Sequence, residues 1–436
     1  MVLDARCLRK VFSHFGKNPK DFYRLERLNP SYRIVYGRDD MIDVPADFEG
    51  LCAMAERLES GSSKNLSKFL EAGKYKYDIG VRKLVYKPGL SITELLDIEV
   101  IKNSFRLNLF ESISGYIRKN FKNPRLIQML EFPVLFLGAR PEKTPALYSF
   151  MNYADMILGT WYPRGGIHSV VDGLVSLATS LGVEFEYNSV VQQLKVNSVA
   201  VKGCVVNETF RNFDYVVASA DYQHVEQQLL PASHRVHSEA YWKNRTMAPS
   251  TLIYYVGINK KINNLLHHTL FFDQDFKRHA DEIYDNPQWP SSPQFYVSCP
   301  SKTDSTVAPM GYENIFILIP VASGLDDTEN VREKYFNIAL DRIENMLGEN
   351  IRDHIVFRRS YAHNDFIADY NAFKGNAYGL ANTLSQTANL KPSIVSRKLN
   401  NLFYTGQLTV PGPGVPPALI SGEVVAKELI RRHKKS

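Results

Sequence analysis

The stretch Leu402-Phe403-Tyr404-Thr405-Gly406-Gln407, continued by Pro411-Gly412-Pro413-Gly414-Val415-Pro416-Pro417 and an apolar run from Ala418 to Ile430, decides how the chain is read. A short apolar run closed by glycine reads as a buried strand, and Leu419, Ile420, Val424, Val425, Leu429 and Ile430 recur at helical spacing. The segment is therefore a strand, a Gly/Pro loop and a helix. Pro416 and Pro417 suit a first helical turn, where the missing N–H would go unpaired anyway, and Gly412 and Gly414 let the backbone pass close to a ligand. Main-chain N–H groups and the positive end of a helix dipole then converge on one spot, which favours a partner that carries or develops negative charge. A proline-rich turn into a packing helix is the other reading these residues allow.

Working outward, 436 residues are enough for two domains with proper cores. The net charge of +6 and a pI near 8.8 suit an anionic surface such as a membrane leaflet, and fall short of the footprint of a nucleic-acid binder. Cys7, Cys52, Cys204 and Cys299 form no CxxC and have no neighbouring His, so neither zinc nor a disulfide framework is indicated and a reducing cytoplasm fits. No apolar run approaches the roughly 18 residues of a spanning helix, and the first residues lack a signal-peptide core.

Residues 11–22 read as a short helix and its exit, and residues 31–36 and 41–44 as a hairpin about Gly37-Arg38-Asp39-Asp40. Residues 45–156 read as mostly helical, with Leu51, Met54, Ala55 and Leu58 on one face and Ile101, Phe105, Leu109 and Ile113 on another. Between Lys64 and Arg125 basic residues outnumber acidic ones and interleave with Tyr75, Tyr77, Tyr86, Phe105 and Tyr116. That mixture suits anionic lipid, and a solvated basic face over a helical core is its alternative. After Trp161-Tyr162-Pro163-Arg164-Gly165-Gly166, the residues Val170, Val171, Leu174, Ala178 and Leu181 give an amphipathic helix ended by Gly182. Residues 183–187 and 190–196 then read as a strand pair, 199–206 and 209–213 as a hairpin, and 215–218 as a buried strand, together a βαβ-like unit with an inserted meander. Residues 252–258, 294–298 and 315–321 are long β runs, and 331–347 a helix with Asp326, Asp327 and Thr328 as capping residues. Strands that come as a group predict an antiparallel sheet with a covering helix.

The histidines, His267-His268 included, are not spaced as metal ligands, and no metal is expected. No GxSxG, HExxH, Walker loop or GxGxxG occurs. Gly375-Asn376-Ala377-Tyr378-Gly379-Leu380, Gln386, Pro392, Asn401 to Gly406 and Pro411 to Pro416 together resemble the C-terminal signature of the bacterial phytoene desaturase family, carotenoid desaturases and isomerases of the flavin amine oxidase superfamily. Residues 161–166 resemble that family's mid-chain motif, and residues 298–321 its substrate-domain strands.

The resemblance implies an α/β protein with a discontinuous Rossmann-like FAD-binding domain lacking its N-terminal βαβ unit, an inserted α+β substrate domain and a helical, membrane-facing part. Residues 1–156 and 246–372 would form the substrate domain, and 157–245 and 373–436 the FAD-binding segments. By position, Gly406, Gln407, Gly412, Gly414, Val415 and Pro416 match residues around flavin and pyrophosphate. Val191 matches the strand residue by adenine, and Arg164, Gly165 and Gly166 the motif near the flavin. The implied function is FAD-dependent, stepwise desaturation of phytoene or a related polyene, at a cytoplasmic membrane surface and without nucleic acid. A carotene cis-trans isomerase and a remnant that does not hold FAD are the alternatives. Because the polyene itself stabilises developing cationic charge, no residue is assigned as catalytic.

Overall fold

The computed structural model describes residues 5–91, 94, 107–108, 111–383 and 385–434. Helix α1 (Ala5–His14) precedes strands β1 (Leu25–Arg27), β2 (Tyr32–Gly37) and β3 (Asp40–Val44) and helices α2 (Phe48–Leu58), α3 (Ser62–Ile79), α4 (Ile113–Asn120) and α5 (Pro124–Glu131). Strand β4 (Trp161–Pro163) and helix α6 (His168–Ser180) follow, then β5 (Val191–Val196), β6 (Val201–Val206), β7 (Thr209–Asn212) and β8 (Val216–Ala218). Strands β9 (Ser250–Ile258), β10 (His268–Phe271), β11 (Phe295–Ser298) and β12 (Glu313–Val321) lead to helix α7 (Glu329–Leu347) and strand β13 (Ile355–Tyr361). Strand β14 (Leu402–Tyr404) and helix α8 (Val415–His433) close the chain.

The largest unit is a seven-stranded sheet in the order β13-β9-β12-β11-β10-β2-β3, antiparallel except where β10 runs parallel to β2. Strict alternation builds it: Ile315, Ile317, Ile319 and Val321 of β12 point to one face with Leu252, Tyr254, Val256 and Ile258 of β9. There they bury against Tyr335, Phe336, Ala339, Leu340 and Ile343 of α7. Of the three expected caps, Thr328 does the capping, accepting from Val331 N–H at 3.4 Å, while Asp327 pairs with Arg332 at 2.5 Å. The opposite face is covered at the β2–β3 end by α2 to α5, where Ile34, Val44 and Leu270 pack with Leu51, Met54, Leu66, Ile117 and Leu130. Toward β9 that face stays half-open, with Phe316 and Leu318 of β12 beside Tyr255, which is 41% exposed.

Several expectations change. Residues 183–187 form no strand: β5 takes β6 as its partner through the tighter hairpin, and Val183, Phe185 and Tyr187 are exposed. Alternation without a neighbouring strand among the described residues leaves the segment outside any sheet. Strand β8 is not fully buried, since Val217 is 45% exposed. Its partner is the distant β14, running parallel, and β5-β6-β7 is a sheet of its own, so the expected βαβ-like unit is not formed. The early hairpin β2–β3 joins the later sheet through β10, a strand whose His267-His268 start hides it in sequence. Strand β13 carries Arg358 and Arg359, which masks its pattern. Ile101, Phe105 and Leu109 lie outside the described residues.

Within the basic region, Tyr77 is buried and Tyr116 stacks on Phe69 with ring centroids 5.5 Å apart. Lys76 is buried too, donating to Ala146 O and Ser149 Oγ at 3.0 Å each, and burial pulls its pKa down to about 8. These aromatics serve the helical core. No helix among the described residues is long and apolar enough to cross a membrane.

Candidate functional site

The Gly/Pro loop leaves the carboxyl end of a parallel strand pair, with Leu402, Phe403 and Tyr404 in register with Val216, Val217 and Ala218. In α/β sheets this end is where ligands bind. Thr405 N–H continues the pairing to Ala218 O at 3.0 Å. Gly406, Gly412 and Gly414 take φ of +103°, +132° and +111°, which a side chain would strain. Buried Ser421 of α8 pins the loop: its Oγ accepts from Gly406 N–H at 3.1 Å and Thr405 Oγ1–H at 2.9 Å, and meets Thr409 Oγ1 at 3.1 Å. Hydroxyls inside an apolar run were the sequence signal for this clasp, and sequence reasoning passed over them.

Gly414 caps α8 without a side chain to offer. Pro416 and Pro417 have no N–H, and Ala418 N–H is bound to Gly414 O at 2.9 Å, which leaves Val415 N–H as the first-turn donor without a partner among the described residues. Gln407 holds the loop in place, donating from Nε2 to Asn376 Oδ1 at 3.2 Å, while Asn376 also accepts from Gly379 N–H at 2.7 Å. Gln386 joins Thr246 through both its backbone groups, accepting from N–H at 3.1 Å and donating to O at 2.9 Å. Beside Gly412, two buried polar atoms have no hydrogen-bond partner among the described residues, Asn382 Oδ1 and Lys391 Nζ.

The 161–166 motif is fixed from the seven-stranded sheet side. Asp304 Oδ2 accepts from Gly165 N–H at 2.7 Å and from Tyr162 O–H at 3.2 Å. Burial alone would raise the Asp304 pKa, yet these bonds and those from Thr306 bring it down to about 2. Arg164 and Gly165 are exposed, and nothing stands within 4 Å of a Cβ built on Gly166, whose φ is +94°. Helix α6, which starts here, packs Val170 and Leu177 with Leu8, Phe12 and Tyr23, and Leu419 of α8 packs against the same cluster. The motif and the loop are thus joined through α6 and α8. Val191 instead sits at the start of β5, paired with Val206 and 37% exposed, on the meander.

Among the described residues the arrangement can receive an anionic or charge-gaining group: glycines that admit close approach, an open helix-end N–H, and an unpaired buried amine with an unpaired carboxamide oxygen. The flavin containing amine oxidoreductase family model matches residues 4–430. A carotenoid 3,4-desaturase of Haloarcula japonica is 38% identical over 422 residues, 97% of this chain and 85% of that one. A 4,4'-diapophytoene desaturase of Staphylococcus aureus is 28% identical over 446 residues, covering 99% and 88%. Among solved structures, an oxidoreductase from Methanosarcina mazei superimposes with TM-score 0.58 at 13% identity, over 93% of this chain and 82% of that one. A putrescine oxidase double mutant does so with TM-score 0.59 at 10% identity, over 99% and 87%. Both structures share the mixed α/β fold.

Proposed function

The chain belongs to the flavin containing amine oxidoreductase family, and from that premise we propose that it is an FAD-dependent desaturase that introduces double bonds stepwise into phytoene or a related carotenoid polyene. The observation that carries the reading is the loop from Gly406 to Pro417, whose glycines, open Val415 N–H and unpaired Asn382 and Lys391 suit a flavin. When bound, FAD supplies the two-electron oxidation that removes two hydrogens from an allylic carbon pair. The chain's residues hold and orient. Gly406, Gly412 and Gly414 admit the ring, Gln407 and Ser421 fix the loop, and α8 aims its positive end at that spot. In this reading residues 157–245 and 373–436 serve the cofactor, which the β8–β14 pairing supports, and 1–156 and 246–372 serve the substrate, which the joining of β2 to β10 supports.

The substrate face proposed is the half-open side of the seven-stranded sheet. Phe316 lies between Tyr255 and Tyr296, with centroid separations of 5.5 and 6.2 Å. Such ring faces attract cationic charge, which an oxidised polyene develops. Delivery from lipid is assigned to a peripheral contact of the basic region between Lys64 and Arg125, with attachment through charge because its described tyrosines are half-buried or buried.

Incubating FAD-loaded protein with phytoene in liposomes tests this. Desaturation lengthens the chromophore and moves absorption to the red. A product with the same number of double bonds establishes the isomerase instead. Cosedimentation with anionic liposomes that weakens with salt supports the membrane contact, and equal, salt-insensitive binding to neutral and anionic vesicles refutes it.

A further inference from the structure

Two buried side chains at the loop are left with unmet hydrogen-bonding capacity, and together they have the shape of a recognition site. Lys391 and Asn382 are 6% and 5% exposed, and among the described residues Lys391 Nζ and Asn382 Oδ1 have no hydrogen-bond partner. Both flank Gly412: a Cβ built there would lie 3.3 Å from Asn382 Nδ2, 3.4 Å from Asn382 Oδ1 and 3.7 Å from Lys391 Cε. Their backbones are fixed, Asn382 N–H on Leu137 O at 3.0 Å and Lys391 N–H on Ala388 O at 3.1 Å. Ala388 itself takes φ +50°, a conformation that costs a non-glycine residue and recurs at functional sites. A buried ammonium without a counter-charge is strongly unfavourable, and with none beside it among the described residues burial lowers this one to a pKa of about 7. For stability alone an apolar side chain would serve better here.

We propose that Lys391 and Asn382 form the subsite for the imide edge of the flavin ring, the amine taking a carbonyl oxygen on which charge develops and the carboxamide pairing with the imide N–H and the neighbouring carbonyl. The match is chemical. A carboxamide offers a donor beside an acceptor in either orientation, and an imide offers acceptor, donor and acceptor in a row. A phosphate has no N–H for the Asn382 carbonyl to receive. Gly412, lacking a Cβ, keeps the space between them open. The inference deepens the cofactor reading above and rests on it. Lys391 is a positioning and charge-stabilising residue, with no proton transfer assigned to it.

The test uses the full chain, wild type and the variants Lys391→Met, Lys391→Arg and Asn382→Leu. Three quantities are read: FAD affinity from flavin fluorescence, the flavin midpoint potential, and the melting temperature without FAD. Lys391→Met should bind FAD about tenfold or more weakly, the usual effect of losing a charge-assisted hydrogen bond. Its potential should fall by about 30 mV for each tenfold loss of preference for the reduced form. Its FAD-free melting temperature should hold or rise, because an unpaired buried cation is gone. Lys391→Arg should recover part of both flavin effects, and Asn382→Leu should weaken affinity with a smaller change in potential. A purely structural lysine predicts the reverse, a lower melting temperature with the potential unmoved. Unchanged affinity and potential in Lys391→Met overturn this inference alone. Wild-type protein that retains no FAD overturns the cofactor reading first, and that result is visible before any substitution.

Discussion

The seven-stranded sheet and the β8–β14 pair are built from the same kinds of residue, Val, Ile, Leu, Phe and Tyr, and bury them very differently. In β12 every second side chain is closed off under α7, with Ile315, Ile317, Ile319 and Val321 at 0–3% exposure. In the parallel pair only β14 is enclosed: Leu402 and Tyr404 pack on the meander side and Phe403 packs under Ile420, Val424 and Val425 of α8. Its partner β8 leaves Val217 at 45% exposure, and the apolar side chains of residues 183–187 stand in solvent. Parallel sheets ordinarily bury both faces. The contrast teaches that one region is held by packing and the other by backbone geometry and a few polar clasps. The first should fail through cavities and the second through strain and lost hydrogen bonds.

The largest stability loss should come from the packed region. Ile317→Ala, at 1% exposure under α7, should destabilise the fold by about 2–5 kcal/mol in urea or thermal unfolding while the folded fraction still takes up FAD. Gly414→Val should cost less stability, about 1–3 kcal/mol, because a Cβ there meets only Pro417 at ordinary contact and the burden is the φ of +111°. Its FAD occupancy and turnover should nevertheless be lost, and a variant with full occupancy and normal turnover would sink the assignment of this loop to the flavin. Asp304→Asn leaves one acceptor oxygen to serve both Gly165 with Tyr162 and Thr306, and should cost about 1–2 kcal/mol. The sign of its pH dependence follows from a carboxyl held at about 2 in the folded chain against about 3.9 unfolded. Wild-type protein should keep this contribution above pH 4 and lose it as pH falls through about 2, whereas Asp304→Asn should lack that component of acid unfolding. Phe185→Ser, in the exposed segment outside any sheet, should change stability by no more than about 0.5 kcal/mol. A loss of several kcal/mol there would mean that residues 183–187 are packed in solution, and the contrast between the two regions would collapse.

Much of this was legible in the chain. The strand, loop and helix from Leu402 onward, the hairpin about Gly37, the helix capped at Thr328 and the antiparallel sheet all follow from local pattern, because each satisfies its hydrogen bonds with near neighbours or repeats its period many times. Pairings across long separations were not legible: β14 with β8, or β2 with β10, depend on where the chain returns and on no local period. Residues 183–187 show the opposite failure, a β pattern with no partner to realise it. At the site, glycines and prolines announced the loop and Ser421 stood out as a hydroxyl inside an apolar run, while Asn382 and Lys391 became visible only once folding set their polar atoms beside it. Asp304 is similar, since its grip on Gly165 spans 139 positions.

The central claim is that the loop from Gly406 to Pro417 holds FAD. The most direct measurement titrates FAD into the purified chain and follows flavin fluorescence together with melting temperature. The account predicts saturable binding of one FAD per chain and a melting temperature that climbs with FAD concentration as binding to the folded state requires. A folded protein whose melting temperature stays fixed, with no flavin retained, would contradict it.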